Sequence, residues 1–237
     1  MKPKILTVDV ETMSGKAYIW RMFDENIGLD QLIESPRIIC WGAKWMGRNE
    51  VIQRDERPGR KAMLQGLRDL IIEADAVVSY NGDKFDLPKI NGELMMAGLG
   101  PLPPVTSIDL LKTVRKLGLI SNRLAFFAIA AKIGSKIKHE GFPLWRKCDE
   151  GDKQAWTKML AYNAGDVRLS EKAYRSLMAF IPNHPYVGKH SSVASCPRCQ
   201  ATRVQARGSR RTRAYIIQRL QCLGCGGWFD GSKEKVT

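Results

Sequence analysis

The stretch "KILTVDVE", residues 4–11, carries the decision about the fold. It is a short apolar run with β-branched residues that ends in two carboxylates, which predicts a strand with Asp9 and Glu11 at its C-terminal end. Positions i and i+2 of a strand point the same way, so both acids face one spot. Two like charges so placed repel each other unless a cation lies between them. Taken alone, the pair reads as an ordinary exposed strand end. What the rest of the chain brings to it decides between the two.

Working outward, "AYIWRMF" (17–23) reads as strand-like and "RIICWGAKWM" (37–46) as a largely apolar, central strand. Residues 60–74, "RKAMLQGLRDLIIEA", place Met63, Leu67, Leu70 and Ile71 at helical spacing. "AVVSYNGDKFDLPKINGELMMAG" then predicts a buried strand, a sharp break at Asn81-Gly82, and a helix beginning near Phe85 and Asp86. A carboxylate at that position is otherwise a simple helix cap. "TSIDLLKTVRKLG" is a further strand-to-helix step and "NRLAFFAIAAKIG" another helix, whose apolar positions read as core. The segment 135–152, "SKIKHEGFPLWRKCDEGD", has mixed charge and no period, and reads either as a loop over a substrate or as a plain connection. Late in the chain, "AYNAGDV" (161–167) sets Tyr162 and Asp166 four apart, on one face of a helix.

In that order, D-x-E closing the first strand, N-x-x-x-F-D after a later strand and Y-x-x-x-D on a late helix resemble the three motifs of the DnaQ-like, DEDD superfamily of 3′-to-5′ exonucleases. The resemblance spans residues 1 to 180. It implies that Asp9, Glu11, Asp86 and Asp166 are metal-binding acids, and that Tyr162 marks the tyrosine subclass; the histidine subclass has a histidine where this chain has Ala161. Asn81 and Phe85 match the other fixed letters of the second motif, and Thr12 matches family usage after the first, so these three are expected beside the substrate strand. The implied fold is α/β and ribonuclease-H-like: a mixed sheet with its second strand antiparallel and helices on both faces. Phosphodiester hydrolysis needs an activated water, an in-line approach and charge stabilisation, which two divalent metals supply together. An all-carboxylate site suits two Mg²⁺ or Mn²⁺. Tyr162, with an ordinary pKa near 10, then orients the attacking water rather than removing its proton.

The chain has 237 residues with 44% apolar content, enough for one sizeable α/β domain and a small module, or for one larger domain. Its apolar runs are too short to span a bilayer, and "MKPKILTVDVE" is not a signal peptide, so a cytoplasmic location is expected. Thirty-eight Lys and Arg against 24 Asp and Glu leave a net charge of +14, which points to an anionic partner, nucleic acid first. Residues 186–237 alone hold 10 basic and 2 acidic residues. There "CPRC" and "CLGC" supply Cys196, Cys199, Cys222 and Cys225, with 22 residues between the inner cysteines. This is zinc-ribbon spacing, slightly longer than usual, and it implies one structural Zn²⁺. Disulfides are the competing reading, disfavoured in a chain expected to stay reduced. Cys40 and Cys148 read as a core residue and a loop thiol. Between the knuckles "TRVQAR" and "AYIIQRLQ" predict two strands with "GSRRTR" as their turn, presenting Arg203, Arg207, Arg210, Arg211 and Arg213 to phosphate.

The expected organisation is an exonuclease domain over 1–182, a linker over 183–195 rich in Pro, Gly, Ser and Asn, and a zinc ribbon over 196–237. The leading expectation is a metal-dependent 3′-to-5′ exonuclease, DNA favoured, whose ribbon grips the substrate. A ribonuclease or structure-specific nuclease of the same fold is one alternative. Another is a non-catalytic module that binds nucleic acid through the ribbon. The chain carries no polymerase domain, so proofreading requires a separate polymerase or a replication or repair partner.

Overall fold

The computed structural model describes residues 3–182, 184 and 195–236. The expected linker over 183–195 lies, apart from residues 184 and 195, outside the described residues. The elements run β1 (Ile5–Met13), β2 (Lys16–Ala17), β3 (Leu32–Glu34), β4 (Arg37–Trp45), β5 (Ile52–Asp55), α1 (Arg60–Ile72), β6 (Ala76–Ser79), α2 (Asp86–Met96), β7 (Thr106–Asp109), α3 (Leu110–Arg115), α4 (Leu124–Ala130), α5 (Phe142–Asp149) and α6 (Lys153–Leu177). Five of the strands form one sheet in the order β5-β4-β1-β6-β7. β1 pairs antiparallel with β4 and parallel with β6, so the sheet is mixed and β1 is its centre.

Alternation along β1 places the functional face. Leu6, Val8 and Val10 pack with Trp41 of β4 and with Met63, Leu64, Leu67 and Ile71 of α1 and Ile90 and Leu94 of α2. Ile5 packs on the opposite face with Ala173, Tyr174 and Leu177 of α6, and Met13 on that face with Met159 and Tyr162 of α6. Asp9 and Glu11 share the parity of Ile5 and Met13 and are therefore turned toward α6. That helix is about 37 Å long, from 25 residues at about 1.5 Å each. Its start is set by Asp152, whose carboxylate accepts from the amides of Gln154 at 2.7 Å and Ala155 at 3.0 Å.

Two expectations for this part of the chain are corrected. Residues 17–23 are not a strand: pairing stops after Lys16↔Glu34 and Ala17↔Leu32, and the Glu25 carboxylate captures the amides of Trp20 at 2.9 Å and Arg21 at 2.7 Å. A side chain thus takes the backbone groups a strand neighbour would need, and Trp20 is left 91% exposed. The segment 135–152 is more than a connection, because it contains α5, whose Leu144 and Cys148 pack against Met13, Cys40 and Met159. Cys148 is accordingly a packed helix residue and not a loop thiol.

The C-terminal residues form a second, three-stranded sheet, β8 (Val204–Arg211), β9 (Tyr215–Cys222) and β10 (Trp228–Lys235), in the order β10-β9-β8. The expected turn at "GSRRTR" moves: β8 continues through Arg211, with a register shift between Ala206 and Ser209 where Gly208 takes φ +74°. The chain reverses instead at Thr212–Ala214, closed by the Thr212 amide donating to Tyr215 O at 2.8 Å. β10 was not expected from the sequence.

Candidate active site

The second half of β1, from Asp9 at its middle, and one turn of α6 build the acidic site. Side-chain oxygens of Asp9, Glu11 and Asp166 all lie within 4.8 Å of one another. Asp86, the first residue of α2, is buried beside this trio, and its Oδ1 accepts from the Val10 amide at 3.3 Å. It stands next to the tight cluster and outside it. Burial, then the charges of Glu11, Asp86 and Asp166, hold the Asp9 carboxyl well above its ordinary range. Burial and Asp166 push Glu11 up to about 8. Burial raises Asp86 to about 6, against the opposing Val10 hydrogen bond. Packed carboxylates that resist ionising together are a site short of positive charge. Asp166 Oδ1 is buried with no hydrogen-bond partner among the described residues, and an orphaned carboxylate oxygen facing other carboxylates fits a divalent cation.

Two cationic and aromatic features complete the surroundings. The Lys136 ammonium donates to Asp166 Oδ2 at 2.7 Å and to the Tyr162 hydroxyl at 3.2 Å. Although burial opposes its charge, the Asp166 carboxylate holds its pKa above the usual lysine value. The Tyr162 ring meets the edges of His139 at 4.6 Å and Trp145 at 6.1 Å between centroids, both from the segment leading into and through α5. Burial and the Asp166 charge push its phenol up to about 12, so it stays protonated at neutral pH.

A cleft of about 650 Å³ opens from Asp9, Asp166 and Lys136 and is lined further by Tyr80, Asn81, Leu111, Arg115 and Arg123. Two of its lining residues are tied together by Asp109, which accepts from the amides of Asn81 at 2.9 Å and Leu111 at 3.0 Å. The Tyr80 hydroxyl anchors the opposite rim by donating to Asn122 O at 2.6 Å. Asn81 adopts φ +73°, a left-handed conformation that asparagine tolerates. Phe85 caps α2 and is 45% exposed. Thr12 lies on β1 just past a register shift between Glu11 and Thr12.

Lys136, Asn163, His139, Trp145, Arg115 and Arg123 were not singled out from the sequence. The first, third and fourth fall in the stretch without a period, where nothing local says that it folds back onto Tyr162. Asn163, whose Nδ2 donates to Asp9 Oδ2 at 2.9 Å, did leave a signal: an asparagine in mid-helix, a position it disfavours, immediately after Tyr162.

The second cluster is made of sulfur. Cys196, Cys199, Cys222 and Cys225 bring their Sγ atoms within 4.8 Å of one another. The Cys196–Cys225 and Cys199–Cys222 separations are 3.7 and 3.6 Å. Sulfurs bound tetrahedrally at about 2.3 Å from zinc lie about 3.8 Å apart, so the cluster is compatible with a zinc ribbon. Of the expected arginine contacts, Arg203 precedes β8, Arg207 and Arg211 lie on it and Arg213 is in the turn. Arg210 is engaged by Asp230, with Nη2 donating at 2.7 Å.

Residues 25–178 match the RNase_H_2 model of the RNase_H superfamily. The chain belongs to the RNase_H superfamily. The matched span includes Asp86, Lys136, Tyr162 and Asp166, and it begins after Asp9 and Glu11. No curated protein matches the chain in sequence. Among solved structures, it is similar to a family B DNA polymerase from the hyperthermophilic archaeon Pyrobaculum calidifontis, with a TM-score of 0.54 and 17% identity over 76% of this chain and 26% of that one. The chain thus spans about a quarter of that polymerase, and the likeness is one of fold. Membership in the superfamily supports a nuclease function. Among the described residues no helix is long and apolar enough to cross a membrane.

Proposed function

We propose that this RNase_H-superfamily chain is a divalent-metal-dependent 3′-to-5′ exonuclease, with DNA the favoured substrate and the C-terminal module a structural zinc ribbon that grips the strand. The observation that carries the reading is the convergence of Asp9, Glu11 and Asp166 within 4.8 Å, with a buried Asp166 oxygen that has no hydrogen-bond partner among the described residues. Asp9, Glu11 and Asp166, assisted by Asp86, would hold Mg²⁺ or Mn²⁺. Bound there, such cations supply water activation and stabilise charge on the entering and leaving oxygens.

The chain's own groups do the rest. Tyr162, protonated and packed against His139 and Trp145, donates its hydroxyl hydrogen to orient the attacking water. Arg115 and Arg123 line the cleft without a carboxylate partner among the described residues, so both guanidinium groups are free for phosphate. Leu111 and Leu124 supply apolar wall for sugar and base. The fold likeness to a DNA polymerase supports a polymerase or a repair protein as a partner.

The test is degradation of single-stranded DNA and RNA, each labelled at the 5′ or the 3′ end, with Mg²⁺ or Mn²⁺ added. Mononucleotides released at once from 3′-labelled DNA, beside a shortening ladder from 5′-labelled DNA, support the reading. Internal cuts from both labels would replace it with an endonuclease, and preference for RNA with the ribonuclease alternative.

A further inference from the structure

One row of the sheet carries a gap directly beside the acidic site. Asp9 of β1 pairs with Gly42 of β4, and Gly42 pairs with Gln53 of β5, so these three residues lie side by side across three strands. Residues aligned in this way project their side chains to the same face, here the face covered by α6. With glycine in the middle, a hole separates the Asp9 carboxylate from the Gln53 amide. Asn163, fully buried on α6, fills it. A Cβ added to Gly42 would lie 2.4 Å from Asn163 Oδ1 and 2.9 Å from Val167 Cγ2. The gap is therefore required for Asn163 to reach the sheet.

The hydrogen bonds leave the Asn163 amide one orientation. Gln53 Nε2 donates to the Leu160 carbonyl at 2.8 Å, and a carbonyl only accepts, so the NH₂ end of Gln53 is fixed. The same nitrogen donates to Asn163 at 3.2 Å, which makes that atom the Asn163 oxygen. The Asn163 nitrogen is thereby turned to Asp9, donating to its Oδ2 at 2.9 Å and to its backbone oxygen at 3.2 Å. A flipped amide would set oxygen against carboxylate and nitrogen against nitrogen. We infer that Asn163, aimed by Gln53 through the gap at Gly42, is the positioning residue for the Asp9 carboxylate, holding one oxygen so that the other is presented to a divalent cation. The inference rests on the metal-site reading above.

Removing an outer partner of a metal ligand costs about 10- to 100-fold in metal affinity. The experiment measures free Mn²⁺ by electron paramagnetic resonance in titrations of the full chain and of Asn163→Leu and Gln53→Leu, with kcat and KM measured alongside. Both variants are expected to raise the Mn²⁺ Kd about 10-fold or more, to regain kcat as Mn²⁺ is raised, and to keep the oligonucleotide KM within twofold. Gln53 lies on the edge strand and is partly exposed, so Gln53→Leu decides the matter should Asn163→Leu not fold. A folded variant that binds Mn²⁺ within twofold of the parent overturns the inference and leaves Asn163 a packing residue. Asp166→Ala separates the two levels: if it too leaves Mn²⁺ binding unchanged, the metal-site reading itself falls.

Discussion

The chain holds a cluster of three carboxylates, with Asp86 beside it, and a cluster of four cysteines, and the two are built in opposite ways. The carboxylates are mounted on elements that a core already holds: β1 is the central strand, α6 lies across it, and α2 is tied to β1 through Asp86 and Val10. The sulfurs have no comparable support, because β8 to β10 form a single small sheet with mostly exposed residues, and Cys196, Ile217 and Cys222 are its buried apolar members. The acidic site is therefore held by the fold itself, and burial with mutual repulsion raises its carboxyl pKa values. The cysteine site lies at the core of its module, so on the proposed reading a cation bound there would serve folding.

Removing zinc should give the largest effect. Cys222→Ser, or prolonged chelation, is expected to abolish the ribbon's dispersed amide resonances in nuclear magnetic resonance spectra while those of the larger domain stay in place. A ribbon that keeps its dispersion without zinc would erase the distinction between the two sites. Next in size is Tyr162→Phe, which retains the ring and its contacts with His139 and Trp145 and removes the hydroxyl. Single-turnover cleavage should slow by about 10- to 1,000-fold with Mn²⁺ affinity retained, whereas an unchanged rate makes Tyr162 a packed helix residue. Truncation after residue 182 tests whether the ribbon acts on binding alone. If about three of its arginines reach phosphates, the slope of log affinity against log salt, measured on single-stranded DNA in Ca²⁺, flattens by roughly 2. The rate at saturating short substrate changes little. An unaltered slope would assign the ribbon to a protein partner.

The smallest effect concerns the acidic site without its cations. Burial and three neighbouring acids raise the folded-state pKa of Asp9, so the Mg²⁺-free protein loses stability as pH climbs from the ordinary carboxylate range through that raised value. Asp9→Asn removes this cost and keeps the size of the side chain. Its melting temperature at pH 7, without added Mg²⁺ or Mn²⁺, should exceed that of the parent by roughly 2–4 °C, about 1 kcal/mol. A lower value would mean that the acids are not in conflict.

Much of this was legible in short windows. The strand carrying Asp9 and Glu11, the break at Asn81-Gly82 and the i, i+4 spacing of Tyr162 and Asp166 are local patterns, and each survives in the structure, although β1 runs on through Met13 and sets Asp9 at its middle. What escaped is what depends on long-range return of the chain. Lys136 reaches Asp166 from 30 positions away, and the Asp9, Gly42 and Gln53 row joins three strands through register alone. β5 is only four residues long, too short for alternation to announce it. The stretch 17–23 misled for the converse reason: its apolar residues suit a strand, but Glu25 takes the amides first.

The most direct test of two independent metal sites is Asp166→Ala in the full chain, assayed together for Mg²⁺-dependent release of 3′-terminal nucleotides and for bound zinc by elemental analysis. The account predicts hydrolysis lowered by more than about 100-fold, beyond the range of changes to groups behind a ligand, with one zinc per chain retained. Near-parental hydrolysis at saturating Mg²⁺ would contradict it.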